Sequence, residues 1–238
     1  LKRFIQSPAF IIIIALVILN FLDGDFSDPM GWLIQKLILL PGIVIGLSFH
    51  EFAHGIVSYA LGDPTPKLQG RLTINPAAHM DPFGFVALLF AGFGWGIPVQ
   101  INPGYYKHRR RDELLVSLAG VVMNFIIAMI FALGLRFLFM QNPTWLMSSM
   151  GDIVTQILMS VVSINIVLMI FNLFPIPPLD GFGIITELLN LRKYDWYYKI
   201  YDKGFLILLA LILLGVTDKV LGPAVSAVLG WIINSIIF

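Results

Sequence analysis

The chain has no cysteine among its 238 residues. That excludes a disulfide framework, a thiolate metal site and a thiol nucleophile. Any metal must therefore rest on histidine and carboxylate. Charge is scarce as well: Asp, Glu, Lys and Arg make up 12% of the residues, against 58% apolar. Soluble domains carry about 25% charged and about 45–50% apolar residues, so the polar surface needed to coat a globule is missing. Disorder is excluded on the same ground. A net charge of +1 leaves no electrostatic footprint for nucleic acid, and none is expected as a partner. Internal repeats and low-complexity linkers are absent, and no polar stretch is long enough for a core of its own. The composition predicts an all-α membrane protein, a single polytopic domain over residues 1–238 whose solvent is the lipid bilayer.

A helix crossing the hydrocarbon needs about 20 mostly apolar residues. Six stretches fit or nearly fit: 8–22, 34–61, 114–140, 153–174, 196–216 and 220–238. Lys and Arg concentrate in residues 1–7, 63–112 and 191–203, while 23–31 and 141–151 carry none. Since basic loops face the cytoplasm, six spans put both termini on that side of the cell membrane. A seventh span at 83–97 breaks the parity, so this glycine-rich piece is expected to be re-entrant or membrane-lying. On either side of it, 70–75 and 98–102 alternate polar and apolar residues as short strands do. The expected architecture is a six-helix transmembrane bundle with a small membrane-associated β-strand and re-entrant element between helices 2 and 3.

Ionisable groups at membrane depth are costly and mark function. The second span carries His50, Glu51 and His54 as H-E-x-x-H. Residues at i and i+4 share a helix face, so both imidazoles can converge on one zinc ion, with Glu51 beside them as a base for water. Structural hydrogen bonding between helices is the plainer alternative. Catalytic zinc usually takes three protein ligands. Asp152 lies at the wrong end of its helix, Asp112 and Glu113 sit among arginines, and Glu187 is farther along. Asp180 is the best third ligand, although an aspartate there also suits a helix cap. It follows Pro175, Pro177 and Pro178, which break the fourth span and free backbone groups.

With H-E-x-x-H in one span and Asn172-Leu-Phe-Pro-Ile-Pro-Pro-Leu-Asp180-Gly181 after another, the chain resembles the site-2 protease family of intramembrane zinc metalloproteases. Gly70-Arg-Leu-Thr-Ile-Asn-Pro-Ala-Ala-His-Met-Asp-Pro-Phe-Gly84, Gly94-Trp-Gly-Ile-Pro-Val-Gln-Ile-Asn-Pro103 and Ser117-Leu-Ala-Gly-Val-Val-Met-Asn124 extend the likeness over about residues 35–190. It resembles the minimal branch, with six spans and no PDZ domain. One departure is Val121, where the family often has proline.

The resemblance implies hydrolysis of a peptide bond in a transmembrane protein substrate, with one Zn²⁺ held by His50, His54 and Asp180 and with Glu51 as general base. It also implies that Asn172 donates to an oxyanion or to substrate backbone; Asn124, in mid-membrane, is a candidate helper. An unwound substrate needs a strand partner, which 70–75 and 98–102 could supply by β-augmentation. Arg71, Ile74 and Ile101 are the expected substrate contacts there. His79 is expected to hydrogen-bond rather than to ligate, because three ligands and a water already fill the site. Two rival classes are an inactive relative that binds membrane proteins and a zinc transporter.

Overall fold

A computed structural model describes residues 28–91 and 94–237. Helix α1 runs Pro29–Ala60. It is started by Asp28, whose carboxylate accepts from the Gly31 N–H at 3.0 Å, and by a proline in its first turn. Helix α2 is Pro82–Ala91, α3 is Arg109–Gln141 and α4 is Ser149–Asn172, the last capped by the Ser148 hydroxyl. Helix α5 is Asp180–Leu189, α6 is Asp195–Leu213, and α7 is Val216–Ile232 with a π turn Ile233–Ile237 after it.

The described residues form an all-α membrane fold without a sheet. Among them, Pro29–Ala60, Arg109–Gln141, Ser149–Asn172 and Val216–Ile237 are long and apolar enough to cross a membrane. The expected span 8–22 lies outside the described residues. The expected span 196–216 corresponds to α6, which falls short of that criterion. Asp195, Lys199, Asp202 and Lys203 occupy its first turns, and the charge-free part starts only at Gly204.

Helices α1, α3 and α4 pack against one another and form the centre of the fold. Small and polar residues bring them close, as in lipid, where apolar burial between helices gains little. The Ser160 hydroxyl on α4, for example, donates to the Ile38 carbonyl on α1 at 2.7 Å. A second cluster of Ala128, Ala132, Leu135, Val162, Ile166 and Ile232 joins α7 to α3 and α4. Outward, α3 exposes Ile126, Ile130, Leu133 and Phe137, a stripe at helical spacing that suits lipid. Arg136 near the end of α3 donates to the Ile236 carbonyl at 3.0 Å.

Met80 and Gly96, which flank the short helix α2 in sequence, lie side by side. Helix α2 has 10 residues, a rise of roughly 15 Å, which is half the hydrocarbon thickness. The chain then returns to its starting end, where Met80 bridges Gly96 and the Ile97 N–H donates to the His79 carbonyl at 2.7 Å. Gly84 permits this, because a Cβ there would overlap the Trp95 carbonyl. The two strands expected at 70–75 and 98–102 do not form among the described residues; the single Met80–Gly96 bridge stands in their place. The physical reason lies in where their backbone donors go. The N–H groups of Arg71 and Asn75 go to the Pro66 carbonyl and the Thr73 hydroxyl, and those of Val99 and Asn102 bond carboxylates on other segments. Prolines 76, 98 and 103 have no donor to give.

Candidate active site

Three side chains from two distant parts of the chain meet at one point. His50 and His54 stand one turn apart on α1, and Asp180 opens α5 after the proline-rich loop. The two Nε2 atoms are 3.1 Å apart, and Asp180 Oδ2 lies 3.2 Å from His50 Nε2 and 3.3 Å from His54 Nε2. Ligands roughly 2.0–2.1 Å from a tetrahedral metal are separated by roughly 3.3 Å. The triangle therefore has the size of one face of a zinc coordination shell.

The outer hydrogen bonds support the same reading. His50 Nδ1 faces the Asn124 amide oxygen at 2.6 Å, and His54 Nδ1 faces the Val116 carbonyl at 2.7 Å. Both partners are acceptors, so each ring carries its proton on Nδ1 and turns a lone pair at Nε2 toward the shared point. Asp180 Oδ2 is buried and has no conventional hydrogen-bond partner. Three electron-pair donors converging without a proton between them fit a cation.

Helix α3 builds the back wall of this centre. Asn124 donates to the Gly46 carbonyl at 3.1 Å and to the Asn165 amide oxygen at 2.9 Å, and Asn165 donates to the Val161 carbonyl at 2.8 Å. This ties α1, α3 and α4 together behind His50. One turn before Asn124, Gly120 faces both imidazoles, and a Cβ there would overlap His50 and His54. Asn124 thus sits on the far side of His50 from the converging lone pairs, as its orienting partner.

Glu51 is next to the triangle on α1, and its Oε2 accepts from the Val99 N–H at 2.8 Å. Leu72 and Val99 both pack against Gly55, one turn further along α1. The segments holding Arg71, Ile74 and Ile101 therefore lie together over this helix, although not as strands. Ile74 and Ile101 are exposed, while Arg71 Nη1 is buried without a hydrogen-bond partner. Asn172 donates to the Leu168 carbonyl of its own helix at 3.0 Å. Among the described residues, no hydrogen bond joins it to the triangle.

The other acidic candidates have partners elsewhere. Asp152 binds Gln156, Asp112 binds Arg111, and Glu113 binds Arg109 and Arg192. Glu187 also pairs with Arg192, at 2.8 Å. Burial pushes its carboxyl above the ordinary value, against the pull of Arg192. Together with Arg110, which donates to the Glu187 carbonyl at 2.6 Å, this network fixes the far end of α5, the helix that Asp180 begins. His79 is buried outside the triangle and bonds the Thr73 carbonyl at 2.7 Å.

The sequence reading missed Asn165, Gly120 and two backbone groups, the Val116 carbonyl and the Val99 N–H. Asn165 had a signal, an amide in an apolar span like that of Asn124. Gly120 lies within residues 117–124, a stretch that carries the family resemblance. The two backbone groups had none, because any residue offers them.

Comparison with known proteins agrees with this geometry. The family model Peptidase family M50 matches residues 38–215. YwhC of Bacillus subtilis, a protein named as a zinc metalloprotease, is 38% identical over 200 residues, covering 82% of this chain and 91% of that protein. Rip2 of Mycolicibacterium smegmatis, named likewise, is 28% identical over 217 residues, covering 87% of this chain and 80% of the relative. Rip2 of Mycobacterium tuberculosis is 28% identical over 189 residues, covering 75% and 69%. No solved structure matches. With two histidines of an apolar helix converging on Asp180 and a family match across most of its length, the chain belongs to peptidase family M50, the site-2 protease family, and is a zinc metalloprotease.

Proposed function

We propose that this protease hydrolyses a peptide bond within or beside the transmembrane segment of membrane-protein substrates. His50, His54 and Asp180 hold the metal, and Glu51 is the general base. The observation that carries this reading is the triangle of Nε2, Nε2 and Oδ2 atoms 3.1–3.3 Å apart, whose two histidines stand on a helix apolar enough to cross a membrane and whose aspartate opens α5. Zinc in such a site polarises a carbonyl and acidifies water.

The protein's own groups do the rest. Asn124 and the Val116 carbonyl hold the two imidazoles in the tautomer that presents Nε2. Glu51 has one oxygen engaged by Val99, so the other is left to take a proton from the attacking water and pass it to the leaving amine. Asn172 is a candidate donor to the substrate through the second N–H of its amide, the first being held by the Leu168 carbonyl. Arg71, Ile74 and Ile101 flank the approach to Glu51 and are the proposed contacts for an unwound substrate segment. The placement of Lys and Arg supports a site in the cytoplasmic half of the cell membrane, within one catalytic domain.

The test uses the purified full chain in detergent with a library of transmembrane peptides, and products are identified by mass spectrometry. Cleavage should stop with a chelator and return with zinc. Glu51→Gln should keep one zinc and cut on the order of 10²–10⁴ times more slowly. A Glu51→Gln enzyme cutting at the wild-type rate overturns the proposal.

A further inference from the structure

Glu51, Gly55 and Ser58 line one face of α1, since steps of four and seven residues return to the same side of a helix. The irregular segment 98–106 runs along that face. It is fastened at both ends. At one end the Val99 N–H donates to Glu51 Oε2 at 2.8 Å. At the other, Asp63 gathers three donors: the Asn102 N–H at 2.7 Å, the Ser58 hydroxyl at 2.9 Å and the Thr65 N–H at 2.9 Å. Tyr106 adds a bond from its hydroxyl to that of Ser58 at 2.7 Å. Asp63, Ser58 and Tyr106 are all buried. A buried carboxylate is costly unless hydrogen-bonded, and here its donors come from the strap, from the helix carrying Glu51 and from Thr65.

A general base works only if its carboxylate points at the proton it takes. A glutamate has three rotatable bonds, and one fixed N–H donor selects among its conformers. That donor belongs to a segment without a sheet to hold it. Its register is set by Asp63, three residues from Val99 along the strap through Asn102. We infer that Asp63 is a positioning residue for catalysis: by clamping segment 98–106 to the end of α1, it holds the Val99 N–H where it fixes one oxygen of Glu51 and leaves the other facing the reacting water. This rests on Glu51 being the base.

The test compares Asp63→Ala, Val99→Pro, which removes the N–H together with the valine side chain and fixes the backbone there, and the double variant. All are in the full-length chain, loaded with zinc, and act on whichever library peptide the wild type cleaves. Each single variant should keep its zinc, hold KM within about twofold and lose about 10- to 100-fold in kcat, the scale of a small misplacement. The double variant should be no worse than the single ones, because the two residues act as one unit. Independently of activity, hydrogen exchange in residues 98–102 should speed up in Asp63→Ala while residues 43–57 stay protected.

Zinc loss, a KM rise with kcat intact, additive losses or unchanged exchange in 98–102 each overturn the inference and leave Asp63 as a packing clamp only. Should Asp63→Ala not fold, Ser58→Ala removes one bond of the clamp and should show a smaller kcat loss in the same direction; wild-type kcat there overturns the inference. The two readings fail differently. An active Glu51→Gln enzyme overturns the base assignment and this inference with it. An inactive Glu51→Gln enzyme beside fully active Asp63→Ala and Val99→Pro enzymes overturns this inference alone.

Discussion

Removing Asn124 should weaken zinc binding without touching a ligand. Asn124 accepts from His50 Nδ1 at 2.6 Å and donates to Gly46 and Asn165 at 3.1 and 2.9 Å, all in a fully buried position. Asn124→Ala leaves the His50 Nδ1–H, the Gly46 carbonyl and the Asn165 amide oxygen with one partner fewer. Loss of a hydrogen bond to a ligating imidazole typically costs 10–100-fold in metal affinity, or about 1.4–2.7 kcal/mol. The three bonds together are worth about 2 kcal/mol of apo stability, taking roughly 0.6 kcal/mol for each interhelical bond in a membrane. Asn124→Asp separates the two effects. It keeps an acceptor for His50 but turns carboxylate oxygens toward two acceptors, so zinc affinity should hold better than stability. The assay is competition with a chromophoric chelator for zinc affinity, paired with thermal unfolding of the zinc-free protein in detergent. An Asn124→Ala protein that binds zinc as tightly as wild type refutes the reasoning, since His50 would then need no orienting partner.

Further outcomes follow from the same contacts. Gly120→Ala should abolish stoichiometric zinc, because the new methyl overlaps both imidazoles; elemental analysis of the purified protein checks this, and full zinc content counts against the close approach of α3. Burial works to raise the Asp63 carboxyl, but its bonds from Thr65, Asn102 and Ser58 outweigh that and hold it below the ordinary value. Its stabilising contribution is therefore complete above the unfolded value of about 3.9 and is lost as pH falls through the folded value. Thermal midpoints measured from pH 6 downward should drop less steeply in Asp63→Ala than in wild type. Arg192→Ala leaves Glu113 and Glu187 buried without their shared guanidinium. Arg192 is itself partly exposed, so a loss of about 1–3 kcal/mol is expected, below the full cost of breaking a buried pair; an unchanged unfolding midpoint would show that the network does not hold α5.

Much of the site was legible before any coordinates. The spacing of His50 and His54 fixes their shared face, because helical geometry is local. Counting ligands and setting aside carboxylates among arginines points to Asp180, and the structure pairs Glu113 with Arg109 and Asp112 with Arg111. Alternation alone suggests strands at 70–75 and 98–102. Alternation cannot register that Thr73 takes the Asn75 N–H, Glu51 the Val99 N–H and Asp63 the Asn102 N–H. Those side chains compete for the donors a ladder would use. For Asn124 the sequence suggests a helper in catalysis; in the structure its amide oxygen faces His50 Nδ1 at 2.6 Å.

What the sequence determined by itself is the chemistry available and the solvent around it. Without cysteine, zinc has only His and carboxylate to use; with 12% charge, the fold must sit in lipid. Both depend on residue types alone. Only the tertiary structure decided which atoms meet. His50 finds Asn124 across 74 residues, His54 finds the Val116 carbonyl across 62, and Glu51 finds the Val99 N–H across 48. Two of those three partners are backbone groups, which every residue carries, so only the packing of α3 and the strap onto α1 could select them.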